Sequence, residues 1–297
     1  MSGTSDVFPR VMTARGGGTG VEIGAGGRAA YDDEESATLH AQYFDPAFGR
    51  RFAERALDAL VVVRGARVLD VACDTGVFAR LSAHVVGPAG SAVGIDPSAI
   101  AVAVARHIDP TSTVNWQQWD GGGLPFADGS FDVVACQHAL HRFADPIALL
   151  QEMRRVLGPG GRLGITTWGP IEENPAFAAQ LDATVKAGLD DSGVVESLLD
   201  ICAWHRADDL EQLALRAGLV DASCQAVRMM AALPRVAEWV RVYPSLPPLC
   251  RVWPECDQHV RVQFLARATE LLRPFEHDGV LRVQASSRLL VARRPHH

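Results

Sequence analysis

The stretch VLDVACDTG, residues 68–76, decides how the rest of the chain is read. It completes the short apolar run ARVLDVA (66–72), which is bounded by Gly65 and by a turn that holds Gly76. Such a run reads as a strand buried on both faces. VFARLSAHV (77–85), which follows, reads as a helix. A strand that passes into a helix through a tight turn aims backbone N–H groups and a helix N-terminus at one place. A dinucleotide fingerprint, G-x-G-x-x-G, does not fit, because Gly76 is the only glycine in the turn. A pyrophosphate would also meet the charge of Asp74. A nicotinamide dehydrogenase is therefore disfavoured.

Outward from this turn, strands and helices alternate. SAVGID (91–96), TVNWQQWD (113–120), FDVVACQHAL (131–140) and RLGITTW (162–168) read as strands. PSAIAVAVARH (97–107) and DPIALLQEMRRVLGPGG (145–161) read as helices, the first opened by Pro97 and Ser98, the second stopped by Gly158 and Pro159. This order predicts an α/β fold with a parallel sheet covered on both faces and ligands beyond the carboxyl ends of the strands. Further on, 208–219 reads as a helix, 221–233 as a strand, 234–275 as helical in pieces and 280–294 as a last, alternating strand. Upstream, 31–62 has helical spacing at Phe48, Phe52, Ala56, Leu57 and Leu60, and 1–28, rich in Gly, Ser and Thr, reads as a disordered tail.

Three acids stand at successive strand ends: Asp70 in the first turn, Asp96 in VGIDPS and Asp120 in QQWDGGG. An acid at position 96 suits a ribose diol. One at position 120 can accept from an exocyclic amine while Gly121 passes close to a flat ring. Each alone is more often an N-cap or turn residue. Together they describe a nucleoside site that needs no phosphate.

VLDVACDTG, VGIDPSAI, DGGGLPFADGSFDVVACQHALHRFADP and LGPGGRLGITTWGP together resemble the successive motifs of class I S-adenosylmethionine-dependent methyltransferases, and within them the ubiquinone/menaquinone-biosynthesis methyltransferase-like family. The likeness runs from about residue 40 to 294 and includes ENPAF after Trp168. It implies a Rossmann-like three-layer sandwich with a seven-stranded, mostly parallel sheet and a helical lid. It divides the chain into the tail 1–28, an amino-terminal helical lid segment 29–62 and a methyltransferase domain 63–297 with a lid insertion at about 234–275. It implies S-adenosylmethionine as cofactor, S-adenosylhomocysteine as product and a small-molecule acceptor, with secondary metabolites among the candidates. Asp70, Ala72, Cys73, Asp74 and Gly76 would hold the methionine end. Asp96, followed by Pro97, would bind the ribose, Asp120 and Gly121 would frame the adenine, and Gln137 would line the methionine or substrate side.

Asp74 stands where the family usually has Gly; its charge would repel the cofactor carboxylate or contact its ammonium. That departure keeps two alternatives open: a methyltransferase fold diverted to a non-methylating reaction such as cyclisation, and a non-catalytic cofactor-binding protein. His141 and then His138 are the candidate general bases, needed only if the acceptor must lose a proton. Packing is the commoner role for a Leu-His pair here. Tyr31, His40 and Tyr43 read as lid packing, and Trp239, Tyr243 and Trp253 either wall an acceptor pocket or fill a small core.

The net charge of −7, with Lys186 the only lysine, disfavours nucleic-acid binding. No apolar run reaches membrane length and no signal-peptide core is seen, so a cytoplasmic enzyme off the membrane is expected. Six scattered cysteines form no CxxC pair and no zinc-spaced cluster, so no metal is expected. The aromatic lid could also pack on a second copy, giving a homodimer.

Overall fold

The structure is a computed structural model that describes residues 33–296. The expected tail, Tyr31 and the first residues of the lid segment lie outside the described residues. The alternating stretch folds into β1 (Arg67–Val71), β2 (Ser91–Asp96), β3 (Asn115–Gln118), β4 (Phe131–Gln137) and β5 (Leu157–Trp168), and the second half of the chain adds β6 (Val220–Leu233), a two-residue β7 (Glu276–His277) and β8 (Val280–Arg293). The strand order is β3-β2-β1-β4-β5-β8-β6, with β7 paired to β8 beside this path. The first five strands run parallel, and β8 is antiparallel to both β5 and β6. The sheet is thus the expected seven strands plus the short β7. The order reverses between β1 and β4, and the turn after Asp70 opens beside that switch point.

Side chains alternate across the sheet with period two. Leu69, Val71, Val134, Cys136, Leu163 and Ile165 face one way, onto Leu149, Leu150 and Met153 of α5 (Pro146–Val156) and Leu210 and Leu213 of α8 (Ala207–Arg216). Val68, Val133 and Ala135 face the other way, onto Ala53, Ala56 and Leu57 of α2 (Arg50–Ala59) and Phe78 of α3 (Val77–Val86). Beside them α4 (Ala99–Ile108) packs Val102 and Ala105 over Trp116. Three layers result. Side chains cap the helices where the sequence offers them: Ser98 accepts from Ala101 N, and Asp145 from Ala148 N ahead of Pro146 at the first helical position.

Three details differ from the sequence reading. The amino-terminal segment is not one regular helix: α1 (Glu34–Leu39) passes through a π-helix over His40–Gly49 before α2 begins. Pro46 lies inside it, lacking an N–H and crowding the carbonyl one turn back, and the wider turn accommodates both defects. Helix α5 stops at Val156 rather than 161, because Leu157 already pairs with Phe131 and the GPGG segment joins β5.

The third difference concerns the lid. β6 and β8 run past the end of β5, where Trp168 pairs with Ser287. Onto this ribbon pack α6 (Pro175–Lys186), α7 (Val194–Ile201), α9 (Val236–Trp239) and α10 (Gln258–Leu272), around Ala179, Leu198, Leu249 and Phe264. The helical cap therefore draws on 175–201 as well as on 234–275.

Candidate functional site

The turn after β1 has an unusual backbone. Ala72, Asp74 and Gly76 all have positive φ, at 55°, 52° and 86°. Left-handed geometry costs a residue with a Cβ roughly 1–2 kcal/mol, and Asp tolerates it better than Ala. The neighbours hold it in place. Cys73 N donates to Ile95 O at 2.9 Å, and Asp74 N donates to Asp96 Oδ2, also at 2.9 Å. Asp96 Oδ1 accepts from Ser98 N at 2.8 Å. Asp96 is fully buried and ties the first turn to the second, with Arg142 Nη1 4.0 Å from its Oδ2.

Asp70 lies beneath this turn, 1% exposed, and its Oδ2 accepts from Ala79 N at 3.0 Å. Its Oδ1 is buried with no hydrogen-bond partner. Burial, and then the charges of Asp96 and Asp74, push the Asp70 carboxyl well above the usual carboxylate range against the opposing pull of the Ala79 N–H. From the π-helix Asp45 joins the same cluster. It accepts from Thr75 Oγ1 at 2.8 Å and stands 3.7 Å from His40 Nδ1 and 3.8 Å from Arg80 Nη2. Burial raises Asp45 too. Arg80 also donates to Thr75 O, so the lid segment is fastened to the turn from two sides.

A cavity of about 430 Å³ opens above these groups. Its lining includes Asp70, Ala72, Cys73, Asp74 and Thr75 of the turn, Gln137, His138 and His141 after β4, and Phe44, Trp168, Phe177, Gln180, Leu198 and Leu246 of the lid segment, the end of β5 and the helical cap. Gln137 Nε2 donates to Gly49 O at 3.0 Å, joining β4 to the lid segment. The His138 ring stacks on Trp168 at 4.2 Å and meets Phe52 edge-on at 5.1 Å. Its Nε2 lies 2.8 Å from Ser287 Oγ. Burial lowers the pKa of both histidines to about 3, helped for His138 by His141 and for His141 by Arg142. Both imidazoles are therefore neutral across the physiological range.

Of the candidate residues, Asp70, Ala72, Cys73, Asp74, Gln137, His138 and His141 line this cavity; Gly76, Asp96, Pro97, Asp120 and Gly121 do not. Gly76 hinges the turn into α3 under the ring of Trp116. Asp120 is exposed and accepts from Gly122 N at 2.9 Å, closing an Asx turn beside Gly121 at φ 85°. Pro97 O accepts from Gln118 Nε2 at 3.3 Å. The three lid aromatics prove to be packing. Trp239 and Tyr243 are each 1% exposed, Tyr243 Oη donating to Ala176 O at 2.6 Å. Trp253 packs on Phe264 with Arg261 over its ring. Their segment instead lends the cavity Leu246, Pro247, Pro248 and Arg251. His40 and Tyr43 lie in the π-helix, His40 stacked on Phe44 at 4.7 Å and lining the cavity, Tyr43 packed against the lid core. Sequence reasoning missed Asp45 and Gln180; an acid directly before Pro46 was the only hint of the first, and nothing in the sequence marks the second.

Residues 69–165 match the family described as a methyltransferase domain. A 2-phytyl-1,4-naphtoquinone methyltransferase of Thermosynechococcus vestitus is 38% identical over 113 residues, covering 38% of this chain and 50% of that protein. A nocamycin O-methyltransferase of Saccharothrix syringae is 37% identical over 127 residues, covering 42% and 45%. A demethylmenaquinone methyltransferase of Staphylococcus carnosus is 34% identical over 109 residues, covering 36% and 45%. The chain spans about half the length of the curated relatives it matches. Among solved structures, a Bacillus halodurans protein overlays with a TM-score of 0.50 at 22% identity, over 82% of this chain and 98% of that one. A Haemonchus contortus phosphoethanolamine N-methyltransferase, in complex with S-adenosylhomocysteine, overlays with a TM-score of 0.55 at 16% identity, over 88% and 57%. These two establish the fold. Residues 69–165 are thus similar to a methyltransferase domain, and the sheet order agrees with the fold of the two overlaid structures.

Proposed function

We propose that the protein is an S-adenosylmethionine-dependent methyltransferase acting on a small, apolar acceptor of the quinone-like or natural-product kind. One observation carries the reading. The buried, unpartnered Asp70 Oδ1 and the left-handed turn beside it open into the same cavity as His138 and the aromatic wall. The chemistry of the donor set fits the cofactor. Asp45, Asp70, Asp74 and Asp96 interact with one another, and burial raises Asp45, Asp70 and Asp96. Such a cluster favours a ligand that brings positive charge. Asp96 uses two of its roughly four acceptor positions on backbone N–H groups, with Arg142 4.0 Å away, and on this reading a ribose would take the remaining ones.

The cofactor supplies an electrophilic methyl group on a cationic sulfur. Asp70 and Asp74 would balance its methionine end, Asp96 its ribose, and Asp120 with Gly121 its base. Gln137, tied to Gly49 O, holds β4 and the lid segment together over the site. The Asp45 link to Thr75 fastens the lid segment to the turn. His138 and His141, held neutral, repel no cation and receive a proton only from a strongly acidic donor. The acceleration on this reading comes chiefly from alignment of the acceptor with the methyl group.

Equilibrium dialysis against S-adenosylmethionine tritiated on the methyl group tests the proposal. Retention of one molecule per chain at micromolar free ligand is expected. A wild-type protein that retains none overturns it.

A further inference from the structure

The cavity wall holds Phe44, Trp168, Phe177 and Leu198 together with the polar Asp200 and Arg251, and α6 contributes Gln180 to it. Gln180 is 2% exposed, and its Nε2 has no hydrogen-bond partner. Its helix neighbours Ala176, Ala179 and Ala183 are buried and apolar. An apolar side chain at 180 would pack there without leaving an amide unsatisfied. A buried carboxamide without a partner is costly, and groups of this kind mark a place where something else supplies the bond.

A second polar group, the His138 imidazole, lines the same cavity, and its proton can be assigned from its surroundings. Ser287 Oγ lies 2.8 Å from His138 Nε2 and 2.6 Å from Thr167 O. A hydroxyl has one proton, and the Thr167 carbonyl can only accept, so the Ser287 proton goes to Thr167. Ser287 Oγ therefore accepts from His138, whose Nε2 carries the ring proton. That leaves His138 Nδ1 as a bare acceptor in a ring that lines the cavity.

We propose that Gln180 and His138 are the pair that reads the acceptor: the Gln180 carboxamide donates to one oxygen of an apolar molecule, and His138 Nδ1 accepts from a hydroxyl on the same molecule. The site thereby selects acceptors with two oxygens, at least one of them a hydroxyl. Trp168, which stacks on His138 and meets Phe177 at 4.7 Å, lines the same cavity with an apolar face. Calling the ligand an acceptor rests on the methyltransferase reading; the recognition itself does not.

Three probes separate the two contacts: 4-methoxy-1-naphthol, 1-naphthol without the second oxygen, and 1,4-dimethoxynaphthalene without a hydroxyl. Binding is measured calorimetrically with and without saturating S-adenosylhomocysteine. Wild type is expected to bind 4-methoxy-1-naphthol about ten-fold more tightly than either analogue, as one good hydrogen bond to a buried group allows. Gln180→Leu should lose the preference over 1-naphthol and keep that over 1,4-dimethoxynaphthalene; His138→Phe should do the reverse. Gln180→Leu should melt no lower than wild type, since it removes an unsatisfied amide. Absence of binding by all three probes, lack of discrimination in wild type, or both preferences surviving in both variants overturns the proposal. Discrimination without any S-adenosylhomocysteine binding would sink the methyltransferase reading and leave the pair standing.

Discussion

Gly76→Ala is expected to destabilise the protein by about 2–5 kcal/mol, measured by urea unfolding. The position has φ 86°, where a Cβ costs about 1–2 kcal/mol. An added Cβ would also lie 2.1 and 2.4 Å from two ring carbons of Trp116, which cannot retreat, because the same ring presses on Gly94. Overpacking of that kind costs about 1–3 kcal/mol more. The two contributions separate in a double variant. Trp116→Leu removes the clash but not the backbone strain, so Gly76→Ala should cost only about 1–2 kcal/mol in the Trp116→Leu background. Equal costs in both backgrounds would mean that the ring is not what excludes a side chain. Because Gly76 ends the turn that carries Asp74, binding of S-adenosylhomocysteine should weaken along with stability.

The second large effect concerns Asp70. With the site empty, burial and the neighbouring Asp96 and Asp74 raise its carboxyl well above the ordinary range, so it holds a proton to higher pH than a free carboxylate does. A cation placed beside it favours the ionised form, and binding S-adenosylmethionine should therefore release that proton. The sign follows: affinity rises with pH while the empty site is protonated, by up to about ten-fold per pH unit for one proton, and levels off above the raised pKa. Asn at 70 can still accept from Ala79 N but carries no charge. Asp70→Asn should have a shallower pH profile, and at pH 8 should bind S-adenosylmethionine about 10–100-fold more weakly than wild type, which is about 1.4–2.8 kcal/mol. S-adenosylhomocysteine lacks the sulfonium charge and should lose less. Calorimetry in buffers of different ionisation enthalpy reads the proton directly, and superimposable profiles for wild type and Asp70→Asn would refute this electrostatic account.

The first half of the fold was legible because its central strands β1, β2 and β4 are largely buried, so each appears as an apolar run bounded by Gly or Asp, while the edge strand β3, NWQQ, shows no such run. The antiparallel β8, next to the sheet's far edge, was legible from the alternation in 280–294. Helix α6 was not, because its buried face is built on Ala176, Ala179 and Ala183, which draw little hydropathic contrast. The π-helix was hidden for a related reason: Pro46 reads as an interruption, whereas the chain absorbs it by widening. At the site, the acids at the strand ends could be named from their spacing. That Asp96 is engaged by Asp74 N and Ser98 N could not, since both bonds depend on the path of the turn. Residue type alone could not place Trp239 and Tyr243 in the core rather than the cavity wall. The state of His138 depends on Ser287, 149 positions away in sequence and brought beside it by β8.

A crystal structure of the protein grown with S-adenosylhomocysteine tests the central claim most directly. The account predicts the amino-acid end of the ligand against the turn 72–76 beside Asp70, the ribose at Asp96, and the sulfur facing the part of the cavity lined by His138. A ligand seated elsewhere on the fold, or lying in this cavity with its amino-acid end away from Asp70, would contradict it.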